Sequence, residues 1–286
     1  MATSKKQLPG LPCVLERTDC IKAMGQMKKA SVPLIAADPP YNIGKAYENY
    51  DDKKPHDEFM EWTQNWLCRA CDLLHPHGSL FIFAPDEWVS EVDVFCRQHL
   101  RLCWQGTIIW YYTFGVACQG RYSRSHTQIL WFTRHSTKFT FNRDAIAVPS
   151  NRQLVYNDKR ANPKGKVPDN TWMLTQQAMA NCFGPDEDTW LVSRVCGTFK
   201  EREKHSSNQI PLPIMERIVL GHSNPGDTVL DPFCGTGTTG VAAVMHGRNF
   251  IGYDVSDTCI KQSSVRIAKA HGELVARTPR RSAQIP

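Results

Sequence analysis

The run Thr228-Val-Leu-Asp231-Pro-Phe-Cys-Gly235-Thr-Gly237-Thr-Thr-Gly240 constrains the fold more than any other part of the chain. It reads as a short apolar strand, a glycine loop and a helix start, the turn around which α/β sheets are built. Gly235, Gly237 and Gly240 match the spacing GxGxxG, and Asp254 follows about 20 residues later, as in a dinucleotide fingerprint. That spacing alone is a weak signal, so the flanking charges have to decide the ligand.

A pyrophosphate seeks bare backbone N–H groups at a helix N-terminus. Here the strand ends in a carboxylate, Asp231, and Pro232, Phe233 and Cys234 intervene before the first glycine. A carboxylate repels a pyrophosphate and attracts a cation. S-adenosylmethionine, with its ammonium and sulfonium groups, fits that charge, and Asp254 at the end of the next strand is placed to accept from ribose hydroxyls. A nicotinamide-dependent oxidoreductase is disfavoured for the same reason, and a plain strand–helix turn is the bland alternative.

A second motif stands at the other end of the chain. Leu34-Ile-Ala-Ala-Asp38-Pro39-Pro40-Tyr41 reads as a buried strand ending in a rigid turn. Two prolines fix φ and hold the backbone extended. The Asp38 carboxylate and the Pro39 carbonyl then become two preorganised acceptors. An exocyclic amine has two N–H donors and a lone pair delocalised into its ring. Accepting both protons favours a more sp³-like nitrogen, whose lone pair can attack an electrophilic methyl group. Tyr41 supplies a face for a base that has left its helix. Taken alone, the tetrapeptide could be only a proline-rich turn.

Between the motifs, apolar strand-like runs alternate with helix-like stretches. The expected strands are Leu34–Ala37, Ser79–Ala84, Thr107–Tyr111, Ile129–Phe132, Thr228–Asp231 and Asn249–Tyr253. The expected helices are His56–Leu74, Asp86–His99, Pro211–His222, Thr238–His246 and Thr258–His271. Thr107–Tyr111 and Ile129–Phe132 are joined without room for a packed helix, which predicts antiparallel pairing.

Asp38-Pro-Pro-Tyr41 together with Asp231-Pro-Phe-Cys-Gly-Thr-Gly237 resembles the amino-methyltransferases of DNA. The tetrapeptide precedes the glycine loop, so the likeness is to their circularly permuted β group, and it covers nearly the whole chain. Ser79–Phe83, Gly106–Trp110 and His126–Phe132 resemble the later sheet strands, and Arg194–Arg202 with His205–Pro211 resembles the stretch leading into the cofactor-binding helix.

The resemblance implies a Rossmann-like, S-adenosylmethionine-dependent methyltransferase fold of class α/β: a mixed seven-stranded sheet with an antiparallel hairpin and a small target-recognition insert. It divides the chain into a catalytic part at 10–132, the insert at 133–195 and a cofactor-binding part at 196–272, with flexible termini at 1–9 and 273–286. The catalytic residues it implies are Asp38, Pro39, Pro40 and Tyr41. Its cofactor residues are Asp19, Cys20 and Asp38 from the first part, then Ser207, Asn208 and Gln209. The glycine loop adds Asp231, Phe233, Gly235, Thr236, Gly237 and Thr238, and Asp254 completes the set. Ile210 stands where the family often has Lys, and Thr236 where Ser is common. Asp at the first tetrapeptide position usually accompanies adenine N6 and Ser cytosine N4, so adenine is the expected target.

Charge points the same way. The net charge is +6, and the stretch from Arg134 to Pro168 carries an excess of the same size. A basic surface suits a polyanion, because neutralised phosphates release counterions. Arg143, Arg152, Lys159, Arg160, Lys164 and Lys166 are therefore the expected contacts to double-stranded DNA, although a solvated basic loop would look alike. The loop Asn42–Lys54 is expected to close over the extruded base.

Other readings are narrowed further. No apolar run approaches the roughly 20 residues needed to cross a bilayer, and Met1–Gln7 lacks the apolar core of a signal peptide. A cytoplasmic protein with no membrane partner is expected. The eleven cysteines are scattered and odd in number, which argues against a disulfide framework. Cys68 and Cys71 form a lone CxxC without two further ligands nearby, so they are read as packing residues and no metal is expected. Cys118 lacks the preceding proline of a 5-methylcytosine enzyme's nucleophile. Four alternatives remain: a cytosine-N4 enzyme, an RNA methyltransferase, a protein-amide methyltransferase and a catalytically silent DNA-binding regulator. A homodimer and a cognate restriction endonuclease are open as partners.

Overall fold

The computed structural model describes residues 4–8, 10–112, 119–120, 122–172 and 209–277. Among these, nine strands form one sheet: β1 (Ser4–Gln7), β2 (Cys13–Arg17), β3 (Val32–Ala37), β6 (Leu74–Ala84), β7 (Cys103–Tyr111), β8 (His126–Thr133), β9 (Thr171–Trp172), β10 (Thr228–Asp231) and β11 (Asn249–Asp254). A separate two-stranded hairpin joins β4 (Ala46–Tyr47) to β5 (Tyr50–Asp51). The sheet order is β1-β2-β11-β10-β3-β6-β8-β7-β9. Its seven central strands are the expected mixed sheet, with β1 and β9 added at the edges. β7 and β8 pair antiparallel, Ile108 opposite Ile129, as the short connection required.

The helices are α1 (Cys20–Met24), α2 (His56–Leu73), α3 (Val89–Val94), α4 (Asn151–Leu154), α5 (Leu212–His222), α6 (Thr238–Met245) and α7 (Asp257–Arg277). They cover both faces of the sheet, which is why β3 is apolar at consecutive positions. Leu34 and Ala36 face one core with Ile214, Ile218, Val241 and Ile267. Ile35 and Ala37 face the other with Trp66, Leu67, Leu80 and Ile82.

Four details differ from the sequence expectation. Ser4–Gln7 lies within the terminus expected to be flexible, yet it pairs antiparallel with β2, Ser4 opposite Arg17. α7 continues to Arg277, past the expected boundary at 272, and takes Gly272 into its last turns. Asp86–Trp88 forms a turn ahead of α3, whose end continues as a π-helical turn over Phe95–His99. The CxxC also divides, since α2 turns Cys71 inward and leaves Cys68 exposed. Cys118 lies outside the described residues.

The chain order sets the site. From β3 the chain moves outward to β6, β7 and β8, and β10 and β11 later return to fill the space between β3 and β2. The direction of winding thus reverses between β3 and β10, and ligands of open α/β sheets bind at such a switch point, beyond the carboxyl ends of the strands.

Candidate active site

Three neighbouring parallel strands, β11, β10 and β3, deliver Asp254, Asp231 and Asp38 to one rim of the sheet. A cavity of about 370 Å³ opens there, in the ordinary range for a small-molecule site. Asp19, Cys20, Asp38, Gln209, Asp231, Phe233, Gly235, Thr236, Thr238 and Asp254 all line it, so the structure gathers these expected residues in one place. Pro39, Pro40 and Tyr41 line it too. Ser207 and Asn208 lie outside the described residues.

Each carboxylate is held by a different local device. Asp231 is buried; its Oδ1 accepts from Phe233 N at 3.0 Å and its Oδ2 from Thr239 Oγ1 at 2.6 Å. It therefore shapes the glycine loop as well as charging the cavity. Asp254 accepts from Gly235 N at 2.9 Å and from Ser256 N at 2.8 Å. Asp19 caps α1 by accepting from Lys22 N at 2.9 Å. Asp38 Oδ1 accepts from Tyr41 Oη at 2.9 Å, closing the tetrapeptide on itself.

Burial dominates the electrostatics. It pushes the Asp38 carboxyl up to about 6, against the Tyr41 hydroxyl and the Lys45 charge, which pull it down. It pushes Asp231 up to about 7, with Asp38 and Asp254 adding repulsion, and it raises Asp254 as well. Three crowded carboxylates favour a cationic ligand, which would relieve their repulsion, and disfavour a phosphate, which would add to it.

The glycines divide their work. Gly237 begins α6 at φ 82°, and a Cβ there would come within 2.9 Å of the Ser263 Cβ. It is thus packed against α7, whereas its neighbours Thr236 and Thr238 line the cavity. Gly240 lets α6 lie on Phe250 and Ile267, into which any side chain would run. Arg266 of α7 grips the loop from behind, donating to Thr236 O at 2.8 Å and Thr238 Oγ1 at 3.2 Å.

Several site residues carry no sequence motif. Trp62 closes an aromatic wall with Phe233, ring centroids 5.7 Å apart. Trp88 Nε1 donates to Tyr41 O at 2.9 Å, and its ring packs on His56 and Phe59. Only the three-dimensional neighbourhood reveals that contact, because Trp88 is 47 residues away from Tyr41. Trp88→Phe keeps the ring packing and removes the donor. We expect kcat to fall up to about tenfold, the worth of one hydrogen bond, with donor affinity unchanged. Steady-state kinetics with a parallel titration would check the split.

The basic segment is placed elsewhere. β8 is antiparallel to β6, so its last residue, Thr133, lies beside Ser79 at the rim opposite Asp38. The chain leaves from there, and Asn142 Nδ2 donates to Leu220 O and Ser223 O near the end of α5. Arg143 Nη2 donates to Gly165 O, and Lys164 pairs with Asp144 at 2.7 Å. The acids also answer much of the local charge. Arg152 and Arg160 share Asp158, Lys166 pairs with Asp169, and Lys159 has no ion pair among the described residues.

The comparisons agree with this architecture. A family model for N6/N4 DNA methylases matches residues 32–265. The chain belongs to the DNA methylase family. Among similar proteins, the Type II methyltransferase M.HpaI of Haemophilus parainfluenzae is 34% identical over 250 residues, spanning 87% of this methylase and 72% of that protein. The DNA adenine methyltransferase YhdJ of Escherichia coli K12 is 34% identical over 258 residues, 86% of this chain and 80% of that one. Two solved structures share the methylase fold. The M1.HpyAVI–SAM complex has a TM-score of 0.60 at 24% identity, covering 88% of this chain and 98% of that one. The cytosine-N4-specific PvuII DNA methyltransferase has a TM-score of 0.65 at 12% identity, covering 92% and 93%.

Proposed function

We propose that this methylase transfers a methyl group from S-adenosylmethionine to N6 of adenine in duplex DNA. The observation that carries the proposal is the shared rim, with Asp38-Pro-Pro-Tyr41 and the acid-lined glycine-loop cavity side by side at the switch point. Adenine rather than cytosine follows from Asp38 at the first tetrapeptide position and from YhdJ, a relative named a DNA adenine methyltransferase.

The donor supplies an electrophilic methyl on a sulfonium, already reactive, so much of the catalysis is positioning. Asp231 and Asp254 hold the glycine loop and give the cavity the charge a cation needs. Phe233 and Trp62 offer an apolar wall to a flat ring. The target base is drawn out of its stack to the rim, where Tyr41 faces it. The Asp38 carboxylate and the Pro39 carbonyl accept the two amine protons. As the nitrogen bonds to the methyl carbon and the carbon–sulfur bond breaks, the nitrogen becomes cationic. Asp38 stabilises that charge, and its pKa of about 6 suits it to pass the released proton to water.

In this reading DNA crosses the Asp38 rim and the basic segment touches its flank. Replacing Lys159, Arg160, Lys164 and Lys166 with Ala then weakens DNA binding and flattens its salt dependence; an unchanged slope would move the grip to another surface. DNA as substrate makes the cytoplasm the place of action. A second copy of the chain and a cognate endonuclease are its further proposed partners, to be sought by light scattering and co-purification. Incubation with tritiated donor and a mixture of DNA, RNA and protein tests the reading directly. We expect label in DNA alone, and long-read sequencing of that DNA should show modified adenine within one sequence context. Label only in RNA, only in protein or at cytosine would overturn the respective part.

A further inference from the structure

The residues between Tyr41 and α2, expected to cover an extruded base, also reach the glycine-loop side of the cavity. Ala46, Tyr47, Glu48 and Tyr50 of the β4–β5 hairpin line the donor cavity. The two ends of this segment are fixed. Asp52 is buried and accepts from the backbone N–H groups of Asn42, Ile43 and Lys45 at 2.8, 3.1 and 2.9 Å. Asn42 exchanges two hydrogen bonds with the backbone of Lys54, and the Tyr50 ring packs on Trp62 with centroids 5.4 Å apart.

The tip is held differently. Residues 46–49 are exposed. Glu48 Oε2 accepts from Ser256 Oγ at 2.5 Å and, at the limit of a hydrogen bond, from Thr258 N at 3.4 Å. Asn49 Nδ2 reaches Val255 O at 3.4 Å. The tip thus bridges from the catalytic side to the wall just past Asp254. The Ser256 hydroxyl holds the Glu48 carboxyl below its ordinary range, so it is ionised at neutral pH.

Five carboxylates line the cavity, and four are tied to fixed structure: Asp19 to Lys22 N, Asp38 to Tyr41, Asp231 to Phe233 N and Thr239, Asp254 to Gly235 N and Ser256 N. Glu48 is the one carried on an exposed hairpin tip, and its shorter contact is to a hydroxyl, that of Ser256. A vicinal diol is the same kind of donor, twice over, and a carboxylate can accept from both of its hydroxyls.

We propose that the β4–β5 hairpin is a strap that opens to admit the methyl donor, and that Glu48 is its catch, passing from the Ser256 hydroxyl to the ribose hydroxyls of the bound donor. The inference rests on the donor assigned above. It makes Glu48 a cofactor-binding residue and ties donor occupancy to the tetrapeptide, because the strap begins at the residue after Tyr41.

Stopped-flow binding of S-adenosylmethionine, read by tryptophan fluorescence, tests it without DNA. Parent, Glu48→Gln and Glu48→Ala would be compared, each also with the 2′-deoxyribose analogue of the donor. We expect Glu48→Ala to release S-adenosylmethionine about tenfold faster, the loss of a hydrogen bond to a charged group, and Glu48→Gln to fall between. The analogue, which keeps one of the two hydroxyls, should show a smaller difference between parent and Glu48→Ala. Unliganded variants should melt with the parent, since the side chain is at the surface. Equal release rates for parent and Glu48→Ala, or equal losses with both ligands, would overturn the strap while leaving the donor reading in place. A parent protein that binds no S-adenosylmethionine would overturn both.

Discussion

Asp38→Ala is expected to lower kcat for methyl transfer by about a hundred- to a thousandfold, the range seen when one preorganised group facing transition-state charge is removed. Its carboxylate is the acceptor that meets the amine as charge develops. Donor affinity should change far less, because Asp231 and Asp254 stay in place. A single-turnover assay beside a donor titration separates the two quantities. Asp38→Asn keeps an oxygen acceptor and loses the charge, so its rate should lie between those of Ala and Asp.

The same residue carries a pH signature. Burial holds its carboxyl at about 6, above the ordinary value of 3.8. In the folded chain the group keeps its proton over a range where the unfolded chain has released it. Its contribution to stability is therefore full below about pH 4 and declines as pH rises towards 6. Asp38→Asn removes this titration. The thermal midpoint of the variant should gain on the parent between pH 4 and 6 in the absence of donor. Activity moves the other way: kcat/KM of the parent should fall as pH drops through 6 and the carboxylate is lost.

Asp231→Asn is the second change expected to have a large effect, here on binding. The amide group that replaces one oxygen cannot accept a hydrogen bond. Phe233 N can keep the remaining oxygen and the Thr239 hydroxyl can turn to accept from the amide, but both bonds lose their charged partner. Hydrogen bonds to charged groups contribute about 1.5–3 kcal/mol, and the attraction to a cationic donor goes with them. We expect the donor Kd to rise at least about a hundredfold by isothermal titration, with kcat at saturating donor much less affected. A Kd within a few-fold of the parent would mean that the loop keeps its shape without Asp231.

Much of this was legible in the chain because it rests on local rules. The tetrapeptide announced itself through two prolines, and the glycine loop through spacing and the acid before it. The strands of the centre were visible as apolar runs, because helices cover both faces and leave no polar side to interrupt them. What stayed hidden depends on contacts distant in sequence. Trp88 and Glu48 look like ordinary surface residues until the fold brings them to Tyr41 and Ser256. β1 and β2 are short and partly polar, so pattern alone passes over them. The basic segment was legible only as a count: charge summed along the sequence does not show that Asp144, Asp158 and Asp169 fold back onto the cations. Nor can a count show which rim of the sheet a segment leaves from.

The interleaved strand order has a consequence for how the protein is made. β10 and β11 emerge from the ribosome last among the described strands, yet their berth lies between β2 and β3, which emerge early. Until they arrive, two strand borders stand open, each a template for pairing with a stranger. A nascent chain must wait with its centre missing: the tetrapeptide after β3 is made early, but the acids at the ends of β10 and β11, which complete the cavity beside it, come last.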